Sequence, residues 1–192
     1  MVKKLIKYIT EEEYGKLVKA EKDKRYKLAY MLMFRSGLRI SEVLGYKGIS
    51  VKHKKDKDKK IIETIKNPIE IKPLSPEQIN LSSHQIRVFG KGSKERITVT
   101  PKNLKESHLK LLPLKINRRT FQYHLMRLSE KVLNKKISPH QLRHGFGNYM
   151  ANEKNNPLPF VQSLLGHSRL DTTGIYTKAN PVQAIDKAWE SF

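Results

Sequence analysis

The segment SPHQLRHGFGNYM, residues 138–150, sorts its side chains by kind at helical spacing. At about 100° per residue, His140, Arg143 and His144 fall on one side, with Leu142, Phe146, Tyr149 and Met150 on the other. The apolar stripe is what a core-facing helix needs. The opposite face is either solvated surface or a functional one. Zinc fits it poorly: His140 and His144 have the i, i+4 spacing of metal ligands, but Arg143 on the same face would repel a dication and no carboxylate joins the stripe. A second segment, LLGHSRLDTTGIYTKAN (164–180), places Tyr176 nine positions after His167 on a short polar turn. A tyrosine there would bury little apolar area, which is the usual reason for one. A tyrosine hydroxyl, with a pKa of about 10, acts as a nucleophile at neutral pH only with a base and a strong positive field beside it.

The composition supplies such a field. The 192 residues carry 39 Lys+Arg against 18 Asp+Glu, a net charge of +21, which points to a polyanion and first of all to nucleic acid. Charge of this kind speaks for phosphate binding, not for sequence or chemistry. Cysteine is absent, so disulfides and cysteine-zinc sites are excluded and a cytoplasmic setting is expected. No apolar run approaches the ~20 residues of a membrane span, and MVKKLIKYITEEEY turns acidic too soon for a secretory signal. The length suits one domain.

The elements that must position these residues are mostly helices. Thr10 to Glu13 reads as a capping box before a helix carrying Tyr14, Leu17 and Val18. An apolar helix is predicted over 24–35, ending at Ser36-Gly37. The short helix after Gly37 would bring Arg39 and Glu42 to one face at i, i+3. Residues 47–73 change character: VKHKKDKDKK reads as a solvated charge run, and IIETIKNPIEIKP as a short hairpin of its own. A clearer hairpin follows, with Ile86 and Val88 answered by Ile97 and Val99, and a turn, Gly90 to Glu95, bearing Lys91 and Lys94. Asn117 caps a helix with Phe121, Leu125, Leu128 and Val132 inward and Arg118, Arg119 and Arg127 elsewhere on its surface. Ser138-Pro139 opens the next helix. Pro159 to Leu165 is a short helix closed by Gly166, and a last helix sets Val182, Ile185 and Trp189 on one stripe. The fold class is mainly α with a small antiparallel β-sheet (α+β).

Taken in order, GLRISEVL, GKGSKER, HQLRH and LLGHSRLDTTGIYT resemble the signature boxes of the tyrosine recombinases, or phage-integrase family, especially its Xer and archaeal branches. The likeness covers roughly residues 10–192 and implies that family's catalytic-domain fold. It also implies roles. Arg39 matches the first arginine, Lys91 the hairpin lysine with Lys94 as its alternative, and His140 and Arg143 the H-x-x-R box. His167 matches the later histidine and Tyr176 the nucleophile. Glu42 sits where some members keep a supporting acid, and His144 is a further supporting candidate. Lys94, Arg96, Arg118 and Arg119 are then expected to contact DNA.

The chemistry fits these roles. A phosphodiester transition state puts extra charge on its non-bridging oxygens, which guanidinium forks hold bidentately without a metal. The 5′-oxygen needs an acid to leave, which a lysine on a hairpin tip could supply, and His140 is the candidate base for Tyr176. The product, a 3′-phosphotyrosyl bond, keeps the phosphodiester's energy, so rejoining needs no ATP and no cofactor. The implied partner is double-stranded DNA, with self-association through Val182, Ile185 and Trp189 and no membrane. Type IB topoisomerase-like relaxation and an inactive DNA-binding module are the alternatives. Against the family pattern, the first helix already looks like the start of the catalytic domain, so the usual N-terminal core-binding domain is expected to be absent. Residues 47–73 look like a lysine-rich insertion, either a DNA-contacting hairpin or a solvated loop.

Overall fold

The computed structural model of the chain describes residues 8–55, 61–90, 95–166, 185 and 188–190. Helix α1 (Glu11–Ala20) starts at the expected capping box, with Glu13 N–H donating to Thr10 Oγ1 at 3.3 Å and Thr10 N–H to Glu13 Oε2 at 3.0 Å. Helix α2 (Lys24–Arg35) starts where the sequence places it, and Tyr26 and every residue from Leu28 to Phe34 are buried. It is the central helix, apolar all round from Leu28 to Phe34. The chain leaves it through Gly37, whose φ of +64° reverses direction. A side chain there would carry the strain of that backbone and lie 2.6 Å from Phe146 Cδ1. Helix α3 (Ile40–Leu44) follows at once.

Residues 46–71 depart from expectation. The first half of the lysine run joins a strand: β1 (Tyr46–Lys55) pairs antiparallel with β2 (Ile61–Ile71), from Tyr46 opposite Ile71 to Lys55 opposite Ile61, and residues 56–60 lie outside the described residues. Lysine is a weak strand former, but a lysine can keep its head in water while its backbone joins a ladder, and the isoleucines of β2 require a partner strand.

The second sheet has the order β3-β4-β5, from β3 (Ile79–Asn80), β4 (Gln85–Phe89) and β5 (Glu95–Val99). Its register sets the two faces. Ile86 lies opposite Thr98 and Val88 opposite Arg96, whereas Ile97 and Val99 oppose Arg87 and Gln85. Side chains directly opposite share a face, so Ile97 and Val99 point away from Ile86 and Val88. One face is covered along its length and the other only at the Val99 end, whereas Arg87 and Phe89, further along, stay exposed. Ile86 and Val88 join the main core with α2, and Val99 joins a second core with Phe146, Met150 and Leu164.

Helix α4 (Glu106–Leu109) is a single turn, and α5 (Arg118–Leu133) is capped by Asn117 Oδ1, which accepts from Arg119 and Thr120 N–H. Phe121 and Leu125 are fully buried, with Leu128 and Val132 packed on the same core. Helix α6 (Pro139–Asn148) approaches α2 closely at Gly145, where a Cβ would come within 2.6 Å of Phe34 Cε2 and 2.7 Å of the Ile9 carbonyl. It continues into a wider π-type turn, Tyr149–Glu153. Helix α7 (Leu158–Leu165) ends at left-handed Gly166. Of the last helix, Ile185 and Ala188 are fully buried in the second core, and Trp189 stacks on His84 with ring centroids 3.6 Å apart. Val182 lies outside the described residues. The fold is mainly helical with small antiparallel sheets, and no helix among the described residues is long and apolar enough to cross a membrane.

Candidate active site

The site is built around one buried carboxylate. Arg39 holds the N-cap position of α3, and Glu42, three residues on, folds back to accept the Arg39 N–H at 2.6 Å through Oε2. The other oxygen, Oε1, accepts from Arg39 Nη1 at 2.8 Å. A third element meets the same group: Arg96 of β5 donates from Nη2 to Glu42 Oε2 at 2.7 Å. The Glu42 side chain is 1% exposed, Arg96 11% and Arg39 35%. A carboxylate this deep is tolerable only when charged partners and hydrogen bonds occupy its oxygens, and here two guanidiniums and a backbone amide do.

Arg143 completes the cluster from α6. It is buried, and its guanidinium donates to the Gly37 carbonyl through Nη1 and to the Leu165 carbonyl through Nη2. Arg96 reaches the neighbouring acceptors, Leu164 O at 3.1 Å and Gly37 O at 3.5 Å. Leu164 O and Leu165 O are among the last carbonyls of α7, which no residue of that helix satisfies and where the helix dipole favours cations. Thr98, two residues along the same face of β5, donates to Ser36 O at 2.8 Å. The turn between α2 and α3 and the end of α7 are therefore stitched together by β5 and α6.

Three guanidiniums around one carboxylate leave the region positive. Burial above all, then the charges of Arg39 and Arg96, pull the Arg143 guanidinium down to about 9, so it stays protonated at neutral pH. Burial also pulls Arg96 down, with the Glu42 carboxylate acting against it. His140 sits one turn before Arg143, on the exposed side of α6. Burial first, then Arg143 and Arg39, lower its pKa below the ordinary 6.5, which favours the neutral ring. His144 lies edge-to-face against it at 5.1 Å and is lowered by burial, His140 and Arg143. Among the described residues no three metal-ligating side chains gather into a possible ion site.

Of the residues singled out from sequence, Arg39, Glu42, His140, Arg143 and His144 come together. Lys91, Lys94, His167 and Tyr176 lie outside the described residues. Arg119 is exposed on α5, whereas Arg118 packs its guanidinium 4.6 Å from the Tyr46 ring centroid at the root of the β1–β2 hairpin. Arg96, expected among the DNA contacts, points inward. The register puts Arg96 opposite Val88, on the face of the sheet that meets the main core. The short spacing of Arg96 from Glu95 and the turn carries no sign of this; only the strand pairing does.

A scan against family descriptions matches the phage integrase family over residues 7–182. The chain belongs to that family. It is 31% identical to the tyrosine recombinase XerC of Mannheimia succiniciproducens, over 93% of this chain and 58% of that one. It is 30% identical to the tyrosine recombinase XerA of Pyrococcus horikoshii, over 97% of this chain and 62% of that one. The chain thus spans about three-fifths of the length of these curated relatives. Among solved structures, the integrase from mycobacterium phage Brujita aligns over 97% of this chain and 60% of its own with a TM-score of 0.62 at 19% identity, a likeness of fold.

Proposed function

We propose that residues 1–192 form a catalytic domain that cuts and rejoins DNA strands through a 3′-phosphotyrosyl intermediate, in site-specific recombination or integration. The observation that supports this best is the set of guanidiniums gathered on one turn beside a histidine favoured in its neutral form, within a chain of the phage integrase family.

Arg39 is partly exposed, and Arg143 spends only two of its five N–H donors on carbonyls. Both can turn donors toward the non-bridging oxygens of a phosphodiester, and His167 adds a third contact. Tyr176 Oη attacks phosphorus while His140, favoured neutral by its neighbours, takes the phenolic proton. The P–O5′ bond breaks, and Lys91 (or Lys94) protonates the leaving 5′-oxygen. The phosphotyrosyl ester forms as the 5′-hydroxyl departs, and the reverse attack by a 5′-hydroxyl restores the phosphodiester and the free tyrosine. Glu42 holds Arg39, and His144 backs His140.

Double-stranded DNA is the partner, and the nucleoid the place of action. The β1–β2 hairpin is an insertion that adds phosphate contacts, with Arg118 and Arg119 along α5. Self-association on DNA through Val182, Ile185 and Trp189 would exchange the packing of Ile185 within this chain for the same packing on a neighbour.

Supercoiled plasmid carrying two candidate target sites separates this from simple relaxation. Recombined circles are expected only with both sites present; relaxed circles from either plasmid, without recombinants, would assign the topoisomerase reaction instead.

A further inference from the structure

Among the described residues, Arg96 is the strand residue that carries a full charge into the junction. It lies opposite Val88, on the β4–β5 face that also holds Ile86 and Thr98. Arg96 divides its Nη atoms among three acceptors, Leu164 O, Gly37 O and the Glu42 carboxylate, so its charge is already matched by an anion, whereas Arg143 meets only two carbonyls. The Arg96 Nε is buried with no hydrogen-bond partner, a cost that is tolerated only if the group's placement is worth it. Gly166 lies directly against the same side chain: a Cβ there would collide with Arg96 Cδ, and the φ of +63° also favours glycine. The residue after Gly166 is His167, and Tyr176 follows nine further on.

We propose that Arg96 is a positioning residue for strand cleavage, acting in two ways. Mechanically, it fastens α3 and the Gly37 turn to the end of α7, so the guanidiniums that hold the phosphate keep a fixed relation to the segment leading to His167 and Tyr176. Electrostatically, it shares the Glu42 carboxylate. With Arg96 present, one negative charge is divided between two guanidiniums and Arg39 keeps a surplus for the phosphate. Without it, Glu42 neutralises Arg39 alone. A lysine could reach Glu42 but could not hold Leu164 O and Gly37 O at the same time, because it lacks the planar fork. This inference rests on the roles proposed above for Arg39, Arg143, His167 and Tyr176.

The test compares wild type, Arg96→Met, Arg96→Lys and the double variant Arg96→Met/Glu42→Gln by single-turnover cleavage of a nicked duplex at saturating protein. Tyr176→Phe is the control. Arg96→Met is expected to cleave about 100-fold more slowly, the scale of a small misplacement at a reacting centre. Its affinity for the duplex and its salt dependence should stay at wild-type values. Arg96→Lys should recover part of the rate. The double variant should also be faster than Arg96→Met, because it removes the carboxylate left to Arg39 alone. Hydrogen exchange should rise in residues 39–43 and 163–166 of Arg96→Met and nowhere else, a readout that does not depend on cleavage. Should Arg96→Met fail to fold, Arg96→Lys carries both measurements. Cleavage within twofold of wild type, unchanged exchange in those two segments, or a salt slope reduced by about 0.9, the mark of one lost phosphate contact, would each overturn the proposal. A wild type that forms no adduct while the exchange pattern changes as expected would count against the cleavage reading and leave the positioning link standing.

Discussion

The molecule handles positive charge in opposite ways at two places. At the junction of α3, β5, α6 and α7, the guanidiniums of Arg96 and Arg143 are buried and each is tied to named acceptors on other elements. In the β1–β2 hairpin, Lys47 and Lys66 are exposed alongside Ile49 and Val51, which are 62% and 49% exposed, and the two strands pack chiefly on each other. Buried charge needs partners in fixed places, so it fixes geometry. Exposed charge is screened and free to move, so it supplies field and affinity with little consequence for the fold. Position should therefore govern rate at the junction, and number should govern binding at the hairpin.

The largest effect is expected at Glu42. Glu42→Ala leaves Arg39 and Arg96 facing each other without their carboxylate, and breaking a buried pair in this way costs about 3–5 kcal/mol. Chemical denaturation should show that loss, and cleavage should fall with it. A variant within about 0.5 kcal/mol of wild type, the range of a plain surface change, would mean that the junction is no more constrained than the hairpin.

A smaller effect concerns pH. His140 and His144 titrate below their ordinary value in the folded chain, held there by burial and by Arg143. The unfolded chain takes up these protons near pH 6.5, before the folded one does. The contribution to stability is thus complete above about 6.5 and is lost as pH falls through the lower folded values. Melting temperature should decline on acidification from pH 7.5 to 5.5, and more gently in His140→Asn/His144→Asn. The acid limb of the cleavage rate should fall below 6.5. Identical pH profiles in wild type and the double variant would remove these histidines from the cluster's electrostatics.

The smallest effect on the fold, and the clearest on binding, is expected from the hairpin. Lys47→Ala/Lys66→Ala should leave stability within about 0.5 kcal/mol. It should also flatten the plot of log affinity against log salt by up to about 0.9 for each phosphate no longer contacted. An unchanged slope would make the hairpin a bystander on DNA.

The same contrast explains what could be read from the sequence. Local chemistry was legible: the Thr10 capping box, the limits of α2, the Asn117 cap and inward face of α5, and the pairing of Arg39 with Glu42 at i, i+3 all lie within a few residues of their causes. Long-range chemistry was not. Arg143 finds its acceptor 106 residues away in Gly37, and nothing near Arg143 announces that carbonyl. The inward position of Arg96 is not legible either: β5 is buried at both Thr98 and Val99, on opposite faces, so the strand carries no alternation to read. Whether the lysine run is a hairpin or a loop cannot be read from the run itself, because the strand character of Val51–Lys55 comes from its pairing with Ile61–Lys66.

The most direct measurement of the proposed chemistry traps the covalent intermediate. A nicked duplex from which the short 5′-hydroxyl fragment can diffuse away is incubated with the protein, resolved on a denaturing gel, and the adduct is digested for mass spectrometry. The expected result is a 3′-phosphate ester on Tyr176 that forms without metal or ATP and vanishes in Tyr176→Phe, while that variant still binds the duplex. An adduct that persists in Tyr176→Phe, or one that maps to another residue, would contradict it.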